Sequence, residues 1–429
     1  MGYTKRVLKR TLISLALGFL TAFVLSIIII PKENSKRVGS GKGIPLLTTG
    51  KPELCLLCHE EKIQEKSHGV EMLGCSGCHL GNPLASTKVQ AHRGLVKNPA
   101  DLRVIEKTCG QPNCHPQDIK KVRNSLMATN HGIISRLLFV FGEDGLLKAT
   151  PHLGVADLLK GEASFKGSYA LDYYRKLCGS CHLYLEKGKI RGFVGEKGGG
   201  CSACHLAEFT EDQRKKRLHP KLEKEVPLER CVRCHNRSGR IGFTYQGLYE
   251  TSQGGIYDLK WVDGRELIKI ESDVHHKAGL HCTDCHIREE IMGDGNFYKN
   301  IEEALEVRCE TCHQRLLKTD KGRVLTNLKF INGNLYLKGK FTGKLHLVKG
   351  PAKDCDRDYH RRLSCSACHA HHMPQCMGCH VRYDPKERHL DKIKVMETRG
   401  LWEEYESYRE LLKPVLAVKK DKIVPVTPG

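Results

Sequence analysis

Ten cysteine pairs, each followed at once by a histidine, constrain this 429-residue chain more than any other feature. Nine have the form C-x-x-C-H: Cys55/Cys58/His59, Cys75/Cys78/His79, Cys178/Cys181/His182, Cys201/Cys204/His205, Cys231/Cys234/His235, Cys282/Cys285/His286, Cys309/Cys312/His313, Cys365/Cys368/His369 and Cys376/Cys379/His380. The pair third in chain order, Cys109/Cys114/His115, has four intervening residues (CGQPNCH). Together the pairs take 20 of the 21 cysteines and leave Cys355. Shuffling the chain's Cys and His would give roughly 0.05 C-x-x-C-H strings, so the pattern is not accidental. The pairs are numbered 1 to 10 along the chain below.

Two thiols three positions apart can each add to one vinyl group of the same porphyrin, and the next imidazole then lies beneath the iron. This is the attachment motif of c-type haem, with the histidine as proximal ligand; the longer spacing of motif 3 allows the same double attachment through a wider loop. Zinc ribbons also pair cysteines, but they draw two pairs into one tetrahedral site and have no use for a histidine after every pair. A thioredoxin-like dithiol calls for one motif at the start of a helix. Disulfides between cysteines so close in sequence are strained.

On these motifs, which cover residues 55 to 380, the chain resembles the multihaem c-type cytochromes, specifically a decahaem one. Segments such as CVRCHNRSGRIGFTYQGLYE (231 to 250), HHKAGLHCTDCHIREEIMGDG (275 to 295) and HRRLSCSACHAHHMPQCMGCH (360 to 380) are similar in style to those of anaerobic metal- and sulfur-metabolising bacteria. The resemblance implies about ten covalently attached haem c groups. It also implies a mostly irregular and α-helical fold organised around a chain of stacked haems.

Of 23 histidines, the ten proximal ones leave thirteen to face ten irons. Candidate distal ligands are His68, His92, His131, His152, His219, His275, His276, His346, His360, His371, His372 and His389; His281, abutting Cys282, is the weakest. His371 and His372 lie within the tightest interval, between Cys365 and Cys376, and one of the two is surplus. With only seven methionines, thioether ligation is scarce, and mostly bis-His, low-spin, low-potential haem is expected.

Hydrophobic residues make up 40% of the chain and aromatics 6%, thin for burying so long a chain around side chains alone, so part of the core is expected to be cofactor. The formal charge of +21 would suggest nucleic acid if the chain were bare. Ten haems bring about 20 propionate charges, partly offset at the ferric cores, which turns the Lys and Arg into propionate partners rather than a DNA footprint.

Residues 11 to 30 (TLISLALGFLTAFVLSIIII) carry no charge and would span roughly 30 Å as a helix, the thickness of a bilayer core. Lys5, Arg6, Lys9 and Arg10 precede the run, which exits through four isoleucines into Pro31 without a small-residue cleavage site. This predicts an uncleaved transmembrane anchor in a bacterial inner membrane, with residues 1–10 cytoplasmic and the haem domain periplasmic. Residues 31–50 read as a linker, 51–385 as the haem domain, and 386–429 as an amphipathic helix and tail.

A β-hairpin insertion is expected at about 323–348, around Asn332-Gly333. A weak β stretch is expected over 241–263, and a helix or buried spacer, a candidate lid, over 133–149. The resulting expectation is an anchored carrier passing electrons from the quinol pool or a quinol dehydrogenase to periplasmic or extracellular acceptors, its partners being redox proteins or quinol. The alternative is a reductase of a nitrogen or sulfur oxyanion with one open-coordinate haem. In that enzyme Cys355 would be the residue to watch, although no C-x-x-C-K string occurs.

Overall fold

The computed structural model describes residues 43–59, 67–161, 165–208, 212, 215, 218–236, 241–251, 254–356, 358–369, 375–376, 380–405 and 415–427. Two compact units result, one of Met1–Glu60 with Val70–Leu95 and one of Glu61–Gly69 with Val96–Gly429.

The small unit is built on a 3-10 turn, Leu54–Leu57, and a helix, Val70–His79, which carry motifs 1 and 2. Glu53, 1% exposed, holds them together by accepting a hydrogen bond from Ser76 Oγ at 2.7 Å. Gly74 makes this approach possible, because a Cβ there would sit 2.2 Å from Glu53 Oε2 and its φ is +68°.

In the large unit the main apolar core comprises Leu102, Ile105, Ile134, Leu138, Leu153, Leu171 and Tyr174, all fully buried. Helix His131–Val140 contributes Ile134 and Leu138 at i, i+4, one stripe of its surface. Helix Tyr169–Tyr173, capped by Ser168 Oγ accepting from Leu171 N at 3.0 Å, runs on as a π-helical turn, Tyr174–Cys178, and so delivers the core directly to motif 4. Two smaller clusters lie further along the chain, Leu228/Val232/Phe243/Leu267 and Leu280/Leu325/Leu328/Leu335/Leu337.

Four small sheets occur among the described residues. Strands β1 (Leu248–Glu250), β2 (Leu259–Lys260) and β3 (Glu266–Lys269) form an antiparallel sheet ordered β1-β3-β2. Strands β4 (Leu328–Ile331), β5 (Asn334–Lys338) and β6 (Leu345–Leu347) form a meander. Its first turn has positive φ at both Asn332 (+49°) and Gly333 (+76°), the conformation that lets a two-residue loop match the twist of its strands. Strand β7 (Gln375–Cys376) pairs with β11 (Lys422–Thr427), which also pairs with β10 (Val415–Lys419). The long hairpin of β8 (His380–Asp391) and β9 (Met396–Tyr405) is bulged between Asp384 and Arg388.

This mixed α/β architecture corrects the expectation of a mostly irregular and helical chain. The helix expected from 386 is instead the β8–β9 hairpin. Tyr383 pairs across the strands with Trp402, ring centroids 4.5 Å apart, and Trp402 packs edge-on against Phe141 and Tyr173. Short apolar runs fit either period, and here cross-strand aromatic packing decides. Likewise Ile241–Gln246, expected as β, is a helix that buries Phe243.

No helix among the described residues is long and apolar enough to cross a membrane. The helix His131–Val140, for example, has 10 residues, about 15 Å at 1.5 Å per residue, half a bilayer core. This corrects the expectation of a single N-terminal span and of an inner-membrane location; the segment 11–30 itself lies outside the described residues.

Candidate functional site

Five of the motifs share one local geometry. In motifs 1, 5, 6 and 7 the histidine N–H donates to the carbonyl of the first cysteine, His59 to Cys55 at 2.9 Å, His205 to Cys201 at 2.9 Å, His235 to Cys231 at 2.9 Å and His286 to Cys282 at 2.8 Å. One helical turn is thereby closed, so both thiols and the imidazole belong to the same loop. Motif 3 closes identically despite its longer spacing, with His115 N donating to Cys109 O at 2.9 Å. Its two extra residues bulge without changing the ends.

Several histidines come together in pairs. His59 of motif 1 faces His92 with ring centroids 6.0 Å apart, His115 of motif 3 faces His68 at 6.3 Å, and His313 of motif 8 faces His275 at 6.2 Å. Each pair joins a motif histidine to one outside any motif. With metal–nitrogen bonds of about 2 Å and about 1.1 Å from Nε2 to the ring centre, two imidazoles on opposite faces of one metal have centroids about 6.3 Å apart.

Ring orientation agrees with this. Nδ1 of His131, His205, His219, His313 and His360 lies 2.7–2.8 Å from a backbone carbonyl, that of Leu153, Glu223, Pro220, Lys349 and Asp354 respectively. Nδ1 of His275 lies 2.8 Å from Asp273 Oδ1 and that of His286 2.9 Å from Glu290 Oε2. Such acceptors hold the proton on Nδ1 and leave Nε2 as the ligand atom, the usual outer support of metal-bound histidine.

His182 of motif 4 is 4% exposed, and neither of its ring nitrogens has a hydrogen-bond partner among the described residues. Burial pushes this imidazole down to about 4. A neutral imidazole sealed with both nitrogens unbonded costs stability unless something outside the polypeptide bonds one of them. His346 Nε2 and His389 Nδ1 are also buried without a hydrogen bond among the described residues. His152 stacks on Phe297 at 4.1 Å, and His276 meets Tyr245 edge-on at 5.3 Å. His281 lies flat on Phe341 at 4.4 Å.

His79 and His369 end the helices Val70–His79 and Cys365–His369, and His380 begins β8. His371, His372 and Cys379 lie outside the described residues, and Cys376 is described only as backbone of β7. Cys355 is exposed, in the 3-10 turn Lys353–Asp356.

Successive motifs lie within electrostatic range of one another through their thiols. In the small unit Cys55 senses Cys75. In the large unit Cys201 senses Cys109, Cys204 senses Cys231, Cys231 interacts with Cys282, Cys285 senses Cys312, and the sulfurs of Cys309 and Cys365 lie within 4.8 Å of each other. Motifs 3, 5, 6, 7, 8 and 9 therefore follow one another as a row, and the interaction of Cys181 with Cys234 joins motif 4 to motif 6.

Six motif cysteines are exposed among the described residues: Cys58, Cys114, Cys285, Cys309, Cys365 and Cys368. Cys58 and Cys114 are exposed, whereas Cys78 is half-buried, one residue before the end of the helix Val70–His79. Cys58 N donates to Cys55 O at 3.1 Å and Cys114 N to Gln111 O at 2.9 Å, so both are held by their own motif loops. A short loop on the surface of its unit can bury its first cysteine against a neighbouring motif while the second, further round the same turn, faces solvent. In motifs 1 and 3 it is accordingly Cys55 and Cys109, not Cys58 and Cys114, that meet the next motif.

No disulfide joins any two of the described cysteines. Cys309, Glu310 and Cys365 bring ligand atoms within 4.8 Å of one another, a group that could hold a metal ion. It draws on two different motifs, and the thiols of the row differ: burial pushes Cys201 and Cys204 up to about 12 and 11, while Cys282 is held below the ordinary thiol value by Cys231.

The glycine run before motif 5 was not singled out from sequence, although GGG ahead of Cys201 is its signal. A Cβ on Gly200 would sit 1.9 Å from Ala100 O, and φ there is +64°. The tight approach lets Cys201 N donate to Ala100 O at 3.1 Å and seats motif 5 beside motif 3. Gly200→Ala is expected to cost about 2 kcal/mol through overpacking and strain, visible as a lower urea midpoint. Sequence reading also passed over Asp273 and Glu290, the latter four residues after His286.

No protein-family model, no curated protein and no solved structure matches this chain.

Proposed function

We propose that this chain is a decahaem c-type cytochrome that carries electrons along a row of covalently bound haems. The observation that carries the reading is the pairing of motif histidines with non-motif histidines, His59–His92, His115–His68 and His313–His275, at the separation two axial ligands of one iron require. Both cysteines of each motif would hold the porphyrin by thioethers, and the following histidine would take one axial position. At motifs 1 and 3 the exposed Cys58 and Cys114 would put one porphyrin edge at the surface, where a redox partner can approach it. The donor set fits this group: His182 has two buried nitrogens in need of a partner, and the oriented Nδ1 protons leave Nε2 for iron.

When bound, haem supplies a one-electron couple at each motif. The protein's own part is to fix spacing and ligation. Paired histidines on both faces leave no position for substrate at those sites, which favours a carrier over a reductase. The row of neighbouring motifs keeps adjacent groups close, as transfer from one to the next demands. Redox proteins are the partners this reading calls for.

The test is haem stoichiometry by the pyridine haemochrome assay on chain produced with a c-type attachment system, together with low-temperature EPR of the oxidised protein. Ten haems with low-spin signals alone are expected. More than one thiol per chain titratable by a maleimide reagent, Cys355 being the one expected, or zinc in place of haem, would overturn the proposal. A stoichiometric high-spin signal shifted by nitrite, hydroxylamine or sulfite would replace the carrier with a reductase.

A further inference from the structure

We infer that two buried carboxylates, Glu290 and Asp273, act on axial histidines of neighbouring motifs 7 and 8 and make these the lowest-potential pair in the row. The inference rests on the haem reading above. It starts from a difference among second partners: five of the seven histidines with an oriented Nδ1 meet a backbone carbonyl, whereas His286 meets Glu290 and His275 meets Asp273.

A carbonyl offers a partial charge to the N–H, whereas a carboxylate offers a full one. The carboxylate draws the proton outward, strengthens Nε2 as a donor and so favours ferric over ferrous iron. Both carboxylates are held in place. The Glu290 side chain is 2% exposed, and while Oε2 takes His286, Oε1 accepts the amides of Glu306 at 2.5 Å and Val307 at 2.6 Å. The Asp273 side chain is 7% exposed, and its Oδ1 takes both the amide and the ring of His275, each at 2.8 Å, capping the helix Val274–Lys277.

Two other charged groups described beside these histidines sit differently. Asp118 reaches His115 of motif 3 at 3.5 Å, but Arg288 forms an ion pair with that carboxylate. Lys340 is the cation that senses Glu290, yet it hydrogen-bonds Thr283 O instead. Motifs 7 and 8 adjoin through Cys285 and Cys312, so the two sites are consecutive steps of the row. His275 is the histidine that faces His313, which places Asp273 behind the second face of motif 8 and Glu290 behind the motif histidine of motif 7.

Glu290 and Asp273 are positioning residues, and the readout is therefore a potential. Glu290→Gln and Asp273→Asn are made separately in the full haem-loaded chain and titrated spectroelectrochemically, with haem counted in each. Ten haems and one couple moved upward are expected for each variant, by about tenfold in its ferric/ferrous ratio, which is 59 mV for one electron. The moved couple belongs to the lowest of the set, with one low-spin EPR signal shifted alongside it. Ten haems with every couple unmoved in both variants would overturn the inference, as would movement of a high-potential couple. Absence of covalent haem in the parent chain would overturn the underlying reading instead.

Discussion

Replacing Cys231 and Cys234 by serine is expected to lower the haem count from ten to nine and to cut the row into pieces. Motif 6 is the node: Cys234 interacts with Cys181 of motif 4, and Cys231 interacts with Cys282 of motif 7 and is sensed by Cys204 of motif 5. His235, its imidazole pushed down by desolvation, also senses Cys181 and His286. Without this group, motifs 3 and 5 lose their neighbour on the way to motifs 7, 8 and 9, and motif 4 loses the interaction that joins it to motif 6.

Serine keeps the size and polarity of the loop, so the local turn survives. Rapid reduction of the variant by a photoexcited donor should split into separate phases where the parent shows redistribution across one row. The same double replacement at Cys365 and Cys368, at the described end of the row, should remove one haem without splitting it. A single undivided phase in the Cys231/Cys234 variant would refute motif 6 as the node.

Lys176→Met is expected to destabilise the large unit by about 3–5 kcal/mol, because it removes one partner of a buried ion pair. Lys176 is fully buried, and its ammonium is bound by Asp172 at 2.8 Å, by Gly400 O at 2.7 Å and by Arg399 O. Methionine fills the space but takes the ammonium away from the two carbonyls of β9 and, among the described residues, leaves Asp172 the Trp402 indole N–H at 2.9 Å.

The stability effect should have a directed consequence, because Lys176 lies in the π-helical turn that ends at Cys178. The β8–β9 hairpin is clamped to that turn by Tyr173 Oη donating to Glu404 at 2.5 Å and by Lys392 N donating to Arg175 O at 3.0 Å. Loosening it should raise amide exchange in 380–405 and around motif 4 before the rest of the unit, measured by hydrogen exchange with mass spectrometry. Uniform loss across the unit would show that the clamp is not local.

The cysteine–histidine motifs were legible because the covalent attachment proposed above would impose a spacing that no fold can disguise: two thiols and an imidazole must share one turn. Even the longer motif 3 could be recognised, and its His115–Cys109 closure shows why two extra residues are tolerated. The Asn332-Gly333 turn was legible for a similar reason, since positive φ at two successive positions selects these residues. The β8–β9 hairpin was not, because the apolar residues of 386–405 satisfy a helical stripe as well as a strand, and Trp402 chooses only once Tyr383, Phe141 and Tyr173 surround it. Nor was the exposure of Cys58 and Cys114, since a spacing says that two thiols share a turn and nothing about which side of that turn the rest of the chain covers.

The pairing of histidines divides along the same line. That thirteen histidines lie outside the motifs is a matter of counting, but nothing in the spacing says that His92 belongs with His59, His68 with His115 or His275 with His313. Composition and local spacing by themselves determined which residues carry the chemistry, since those demands act within five to seven consecutive residues. Only the tertiary structure decided which imidazoles face each other, which motifs adjoin, and which histidines have a carboxylate behind them. Such contacts depend on chain segments distant in sequence meeting in one packed arrangement, and local preference has no energy with which to specify them.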